Sequence, residues 1–171
     1  ADIIPAVQVM INCGTAGSCN GGDSNAANAW VAKNDYGGIP DVTCQQYEAV
    51  NNDCKPENVC RNCNYTMVKR QDTCFAVDKY PKFPVSEFGS VRGDDDIMAE
   101  IYTRGPVSCY IDAGPIEDYT GGVASYAGAH GTNHAIQLAG FGVEEDGTKY
   151  WILRNSWGGY WGDNGWAKIK R

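Results

Sequence analysis

Long apolar runs are missing from these 171 residues. None approaches the roughly 20 residues that a membrane-spanning helix needs, so no membrane partner is expected. Clustered basic residues are missing too: the formal net charge is −7, which argues against nucleic acid as a partner. No secretory leader stands at Ala1, so any targeting segment is expected to have been removed or to lie outside these residues. Cys60-Arg-Asn-Cys63 has no second CxxC beside it, and both histidines lie far downstream. A zinc site therefore lacks ligands, and neither metal nor cofactor is expected. Internal repeats and low-complexity segments are absent as well.

What is present is an ordinary globular composition, 43% hydrophobic and 20% charged, in a chain long enough for one or two small domains. Eight cysteines stand out. Cys13, Cys19, Cys44, Cys54, Cys60, Cys63 and Cys74 crowd the first half, while Cys109 stands alone. Such crowding indicates a disulfide framework and an oxidising compartment. Asn64-Tyr-Thr66 is a glycosylation sequon consistent with secretory passage.

Along the chain, Ala1 to Met10 is too apolar for a free terminus and reads as the interior of a longer protein. Cys13 to Gly22 is glycine-rich turn chemistry. Asp23 or Ser24 then caps a short helix to about Asn34, which Gly37-Gly38 ends and Pro40 keeps from resuming. From Asp41 to Ser90 no hydrophobic period lasts, so this half is expected to be loop-rich and dependent on its bridges. Asp94 to Asp96 open a helix with Ile97, Met98, Ile101 and Tyr102 on one face. Val107, Cys109, Ile111 and Ala113 alternate as a half-buried strand, which makes Cys109 a buried free thiol. His134 to Val143 and Lys149 to Asn155 form a hairpin around Glu144 to Gly147, and Gly165 to Lys170 adds a last strand. The expected fold is α+β, with a disulfide-rich, partly helical region over 1–90 and an antiparallel sheet or barrel over 91–171.

His134 and Asn155 carry the candidate chemistry. Either residue alone is more often satisfied structure than catalyst. Together their contexts are specific: His134-Ala-Ile-Gln-Leu-Ala-Gly-Phe-Gly142, and Arg154-Asn-Ser-Trp-Gly158 followed by Trp161-Gly-Asp-Asn-Gly-Trp166. With Cys19-Asn-Gly-Gly22, Gly105-Pro-Val-Ser-Cys109 and Tyr119-Thr-Gly-Gly122, this pattern resembles the papain-like cysteine peptidases over nearly the whole chain. Within that family, Ile39-Pro-Asp-Val-Thr-Cys44 and the insertion after it are most similar to the cathepsin X (cathepsin Z) branch.

The resemblance implies a two-lobed thiol peptidase that needs only a peptide or protein substrate. His134 would be the acid and base beside a thiolate, and Asn155 would orient its ring. Trp157 would shield that pair from water, and Trp161 would line the leaving-group side. Gly21 and Gly22 would pair with substrate backbone, while Asp23, Ser24, Asn133 and Ala135 would border substrate pockets. The branch implies bridges Cys13–Cys54, Cys44–Cys60 and Cys63–Cys74, carboxypeptidase action, and a lysosome-like or extracellular location.

One departure is decisive. The nucleophile of this family sits in a Cys-Gly-Ser-Cys-Trp segment, which does not occur here. Counting back the roughly 130–150 residues that separate the two groups reaches residue 4 or earlier, where no cysteine stands. The expectation is a fragment lacking the nucleophile and the central helix that begins there, completed by an N-terminal segment of the same protein and inactive alone. Two readings compete with it: a non-catalytic homologue that keeps a peptide-binding cleft, and an unrelated disulfide-rich module. Retention of both His134 and Asn155 disfavours the former, and the Asn-Ser-Trp-Gly context disfavours the latter.

Overall fold

The computed structural model describes residues 2–33, 37–66, 71–125 and 131–171, with the backbone alone at 65, 66, 71 and 72. The chain divides into two compact units, Ala1–Ser90 and Val91–Arg171.

In the first unit, residues 4–6 run beside 40–42. Ala6 donates to the Pro40 carbonyl at 2.9 Å, Val42 to that of Ile4 at 2.7 Å, and Ile4 to Asp41 Oδ2 at 3.0 Å. Helix α1 (Val7–Cys13) follows. It buries Val9 against Ala6 and Val59, with Trp30 and Tyr80 packed alongside. Val7 on the other side of α1, and Ile3 and Ile4 before it, are each more than half exposed. Gln8 is fully buried and satisfied: its amide donates to Asn12 Oδ1 and the Val50 carbonyl and accepts from Glu48 N–H. It thus stitches α1 to the loop over 48–50.

Strands β1 (Gly17–Ser18) and β2 (Gly21–Gly22) form a small antiparallel ribbon. Helix α2 (Ser24–Lys33) begins where Asp23 Oδ1 accepts the Ala26 N–H at 2.7 Å, an N-cap bond. Strand β3 (Ile39–Pro40) pairs with β6 (Lys82–Phe83). Disulfides Cys13–Cys54, Cys44–Cys60 and Cys63–Cys74 close the unit, which leaves neither thiol of the CxxC free for zinc.

The stretch expected to be loop contains regular structure. Strands β4 (Arg61–Thr66) and β5 (Gln71–Ala76) pair antiparallel over their full length. Asn62, Cys63, Asn64, Thr73, Cys74 and Phe75 are all exposed, so no apolar alternation announces the hairpin. The Cys63–Cys74 cross-strand bridge takes the place of a buried face. Asn64 of the sequon is exposed on β4.

The second unit starts with helix α3 (Asp94–Arg104). Ile101 is buried, with Ile97 and Met98 packed beside it. Tyr102, expected on the same face, is 87% exposed. Successive helical residues lie about 100° apart, so it falls at the edge of the stripe and its phenol turns to solvent. Gly105, at φ 106°, ends the helix.

A five-stranded sheet follows in the order β7 (Val107–Ile111), β9 (His134–Val143), β10 (Lys149–Arg154), β11 (Trp166–Lys170), β8 (Val123–Ala124). The first four strands are antiparallel, as expected, but β8 joins β11 in parallel. Ile136, Leu138, Trp151, Leu153, Ala167 and Ile169 bury one face with Ile101, Ile116 and Trp161.

Candidate active site

Strand alternation sends every second side chain to the same face. On β10, Trp151 and Leu153 point into the core, and Asn155, one residue past the strand, continues that row at 5% exposed. On β9, His134, Ile136 and Leu138 form the corresponding row. The register makes the two rows share a face. Ile152 pairs with Gly140, but Leu153 pairs with Leu138, leaving Ala139 as an extra residue in β9. Without that bulge Leu153 would oppose Ala139, and His134 would point to the opposite face from Asn155. Gly140 and Gly142 in this strand are the local signal for the irregularity.

The result is a short polar contact at the rim of an apolar core. His134 Nε2 lies 2.8 Å from Asn155 Oδ1, which also accepts the Ser156 N–H at 2.8 Å. Behind Asn155 the chain makes a tight excursion. Asn155 N–H donates to the Gly165 carbonyl, Gly165 N–H to that of Trp161, and Trp161 N–H to that of Gly158. Gly162 takes φ 58° there, and a Cβ on it would stand 2.5 Å from the Trp166 carbonyl oxygen. Only glycine fits.

Two aromatic rings brace the imidazole. Trp157 lies over His134 at 4.8 Å between centroids and 30° between planes. Trp161 meets Trp157 edge-on at 5.4 Å. Its indole N–H bonds the carbonyls of Ile116 and Glu117, at 2.9 and 3.2 Å. Those bonds anchor the excursion to the short 3-10 turn Gly114–Ile116. Trp161, assigned to the leaving-group side, is therefore 6% exposed and part of the core. What it contributes to the site passes through Trp157.

The other candidate residues have separate placements. Gly21 and Gly22 are exposed in β2 of the first unit, and Asp23 and Ser24 start α2. Asn133 in the second unit is exposed, but its side chain works for the fold: Oδ1 accepts the Ala113 N–H at 2.8 Å. Ala135 is exposed on β9, opposite Tyr110. Ala139 and Ser156, which matter to the geometry, were not singled out from the sequence.

The two free cysteines differ. Cys19 is exposed beside the β1–β2 turn. Cys109 is half-buried on β7 opposite Ile136, and burial raises its thiol pKa, which disfavours the thiolate. Neither hydrogen-bonds His134 among the described residues. No group of three or more metal-ligating side chains occurs among them either.

The profile of papain family cysteine proteases matches residues 3–171. A cathepsin Z of Onchocerca volvulus is 37% identical over 166 residues, covering 96% of this chain and 51% of the relative. A gut-specific cysteine proteinase of Caenorhabditis elegans is 33% identical over 184 residues, covering 99% and 53%. Among solved structures, the bromelain protease of Ananas comosus in complex with the inhibitor E64 superposes with a TM-score of 0.78 at 23% identity. It covers all of this chain and 70% of that one. A Carica candamarcensis cysteine protease, in complex with E-64, gives 0.73 at 26% identity, covering 99% and 68%. The chain spans about half the length of the curated relatives it matches.

Proposed function

Because the chain belongs to the papain family of cysteine proteases, we propose that it carries the acid–base half of a thiol peptidase. The nucleophilic cysteine comes, in this reading, from a segment of the protein outside these 171 residues. The observation that carries the proposal is the contact of 2.8 Å between His134 Nε2 and Asn155 Oδ1 beneath the Trp157 ring. With Nε2 engaged, Nδ1 is the ring nitrogen left to take a proton from a thiol. It holds that proton while the thiolate attacks a peptide carbonyl, then delivers it to the departing amine. Trp157 keeps water from competing for the His–Asn bond.

Gly21 and Gly22 present exposed backbone without side chains, which suits pairing with an extended peptide. Cleavage from a free C-terminus, as in the cathepsin X branch, is the finer form of the proposal. Three disulfides fit an oxidising compartment, lysosome-like or extracellular.

The test uses the longer protein. Peptide hydrolysis should be blocked by one equivalent of E-64 bound at a cysteine other than Cys19 and Cys109. His134→Ala should lower kcat by about 10²–10⁴-fold. Hydrolysis coupled to labelling of Cys109 or Cys19 overturns the placement of the nucleophile. No hydrolysis with retained peptide binding establishes the non-catalytic homologue instead. Comparing peptides with free and amidated C-termini decides the carboxypeptidase form.

A further inference from the structure

We infer that the backbone N–H of Ser156 is a positioning group: it holds the Asn155 amide oxygen-first and thereby sets the tautomer of His134. The inference rests on the reading of His134 and Asn155 as the acid–base pair.

A carboxamide has two ends of nearly equal size, one accepting and one donating. A half-turn of the side chain exchanges them. A neutral imidazole does not choose between the ends, because either ring nitrogen can carry its proton. Facing Asn155 oxygen, Nε2 must be protonated; facing Asn155 nitrogen, Nε2 must be bare, and the proton moves to Nδ1. Something other than His134 has to decide.

Ser156 decides it. Its N–H points at Asn155 Oδ1 from 2.8 Å, the same separation as His134 Nε2. A peptide N–H donates only, and it has no tautomer. Turning the amide would set NH₂ against N–H and leave the oxygen where the nitrogen now lies. Among the described residues that place offers neither end a partner: Asn155 Nδ2 is buried there without a hydrogen bond. Oxygen-first makes two bonds and leaves one orphan donor. Nitrogen-first breaks the Ser156 bond, faces donor with donor and buries an orphan acceptor. The backbone at Asn155 is itself held by its N–H to the Gly165 carbonyl, so the side chain cannot evade the choice by shifting along the strand.

The test reads the tautomer directly by ¹⁵N NMR of histidine-labelled protein. In the longer protein, the resonances that disappear in His134→Gln are those of His134. Neutral His134 should favour the Nε2–H form by roughly tenfold or more. Ser156→Ala keeps the N–H and should keep that ratio. Ser156→Pro removes it, and the preference should fall to about threefold or less. Adding Asn155→Asp to Ser156→Pro should restore the Nε2–H form, because a carboxylate has no nitrogen end to present. Where proline unfolds the chain, coupling through the hydrogen bond between Ser156 ¹⁵N and Asn155 ¹³Cγ in the unsubstituted protein decides.

A folded Ser156→Pro variant with the full Nε2–H preference overturns the inference. So does a missing coupling in a protein whose His134 is Nε2–H. The readout needs no peptidase activity. An inactive protein with a Ser156-dependent tautomer fails the proposed function alone, and an active one with a Ser156-independent tautomer fails this inference alone.

Discussion

The two units of this chain reach stability by different routes. Val91–Arg171 packs nine buried side chains from α3, the sheet and the loops into one cluster. In Ala1–Ser90 the described cluster has three, Ala6, Val9 and Val59, and three disulfides hold much of the rest. The proposed acid–base pair sits on the core-held unit, and physical chemistry says why. A proton-transfer pair must be kept within about 0.5 Å of its working geometry. A close-packed core resists displacement in every direction, whereas a disulfide restricts chiefly the unfolded chain. A cross-linked unit can still present exposed backbone, which is all that the proposal asks of Gly21 and Gly22.

That contrast can be broken at several points. Inserting an alanine between Ala135 and Ile136, with Ile136 and Leu138 held in the core, should send His134 to the face away from Asn155. Hydrolysis by the longer protein should fall by about 10²–10⁴-fold, and the His134 tautomer preference should vanish. Leu153→Ala, at a fully buried position, should cost about 2–5 kcal/mol in denaturant unfolding and loosen the second unit as a whole. Replacing Cys63 and Cys74 together by serine should cost up to about 3 kcal/mol. Hydrogen exchange should rise in β4 and β5 and stay unchanged around His134, and a matching rise there would show that the units are not independent.

The smallest effect concerns Asp41. N–H donors from Thr43 and Ile4, with the Thr43 hydroxyl, hold its carboxyl below the ordinary value of 3.8. A lowered folded-state pKa means that the stabilisation is fully present above that ordinary value. It is lost as pH falls through the lowered one. Asp41→Asn should therefore cost a little stability at neutral pH and flatten the acid limb of the stability curve below about pH 4, where the two proteins should converge. An unchanged acid limb would remove Asp41 from the account.

Much of the sheet was legible before any coordinates. Alternation marks β7, the turn at Glu144 to Gly147 marks the β9–β10 hairpin, three consecutive aspartates mark the start of α3, and His134 and Asn155 fall at strand ends. The β4–β5 hairpin was hidden because its described side chains face solvent, so burial wrote no pattern into it. Tyr102 misled because a helical stripe has edges, and sequence spacing does not say where the core stops. The disulfide partners came from family resemblance, since spacing alone permits many pairings.

What the sequence determined by itself is local: strand periods, helix starts, glycines where no Cβ fits, and the residue types that acid–base chemistry needs. The tertiary structure decided which faces meet. The Ala139 bulge that puts His134 on the Asn155 side is a property of two strands paired, and neither strand carries it alone. The same holds for Trp161, drawn into the core by the carbonyls of Ile116 and Glu117. It holds too for the Asn155 amide, whose orientation depends on a backbone N–H that every residue except proline would supply. Periodicity is written along a chain, but register is written between chain segments, and the site depends on register.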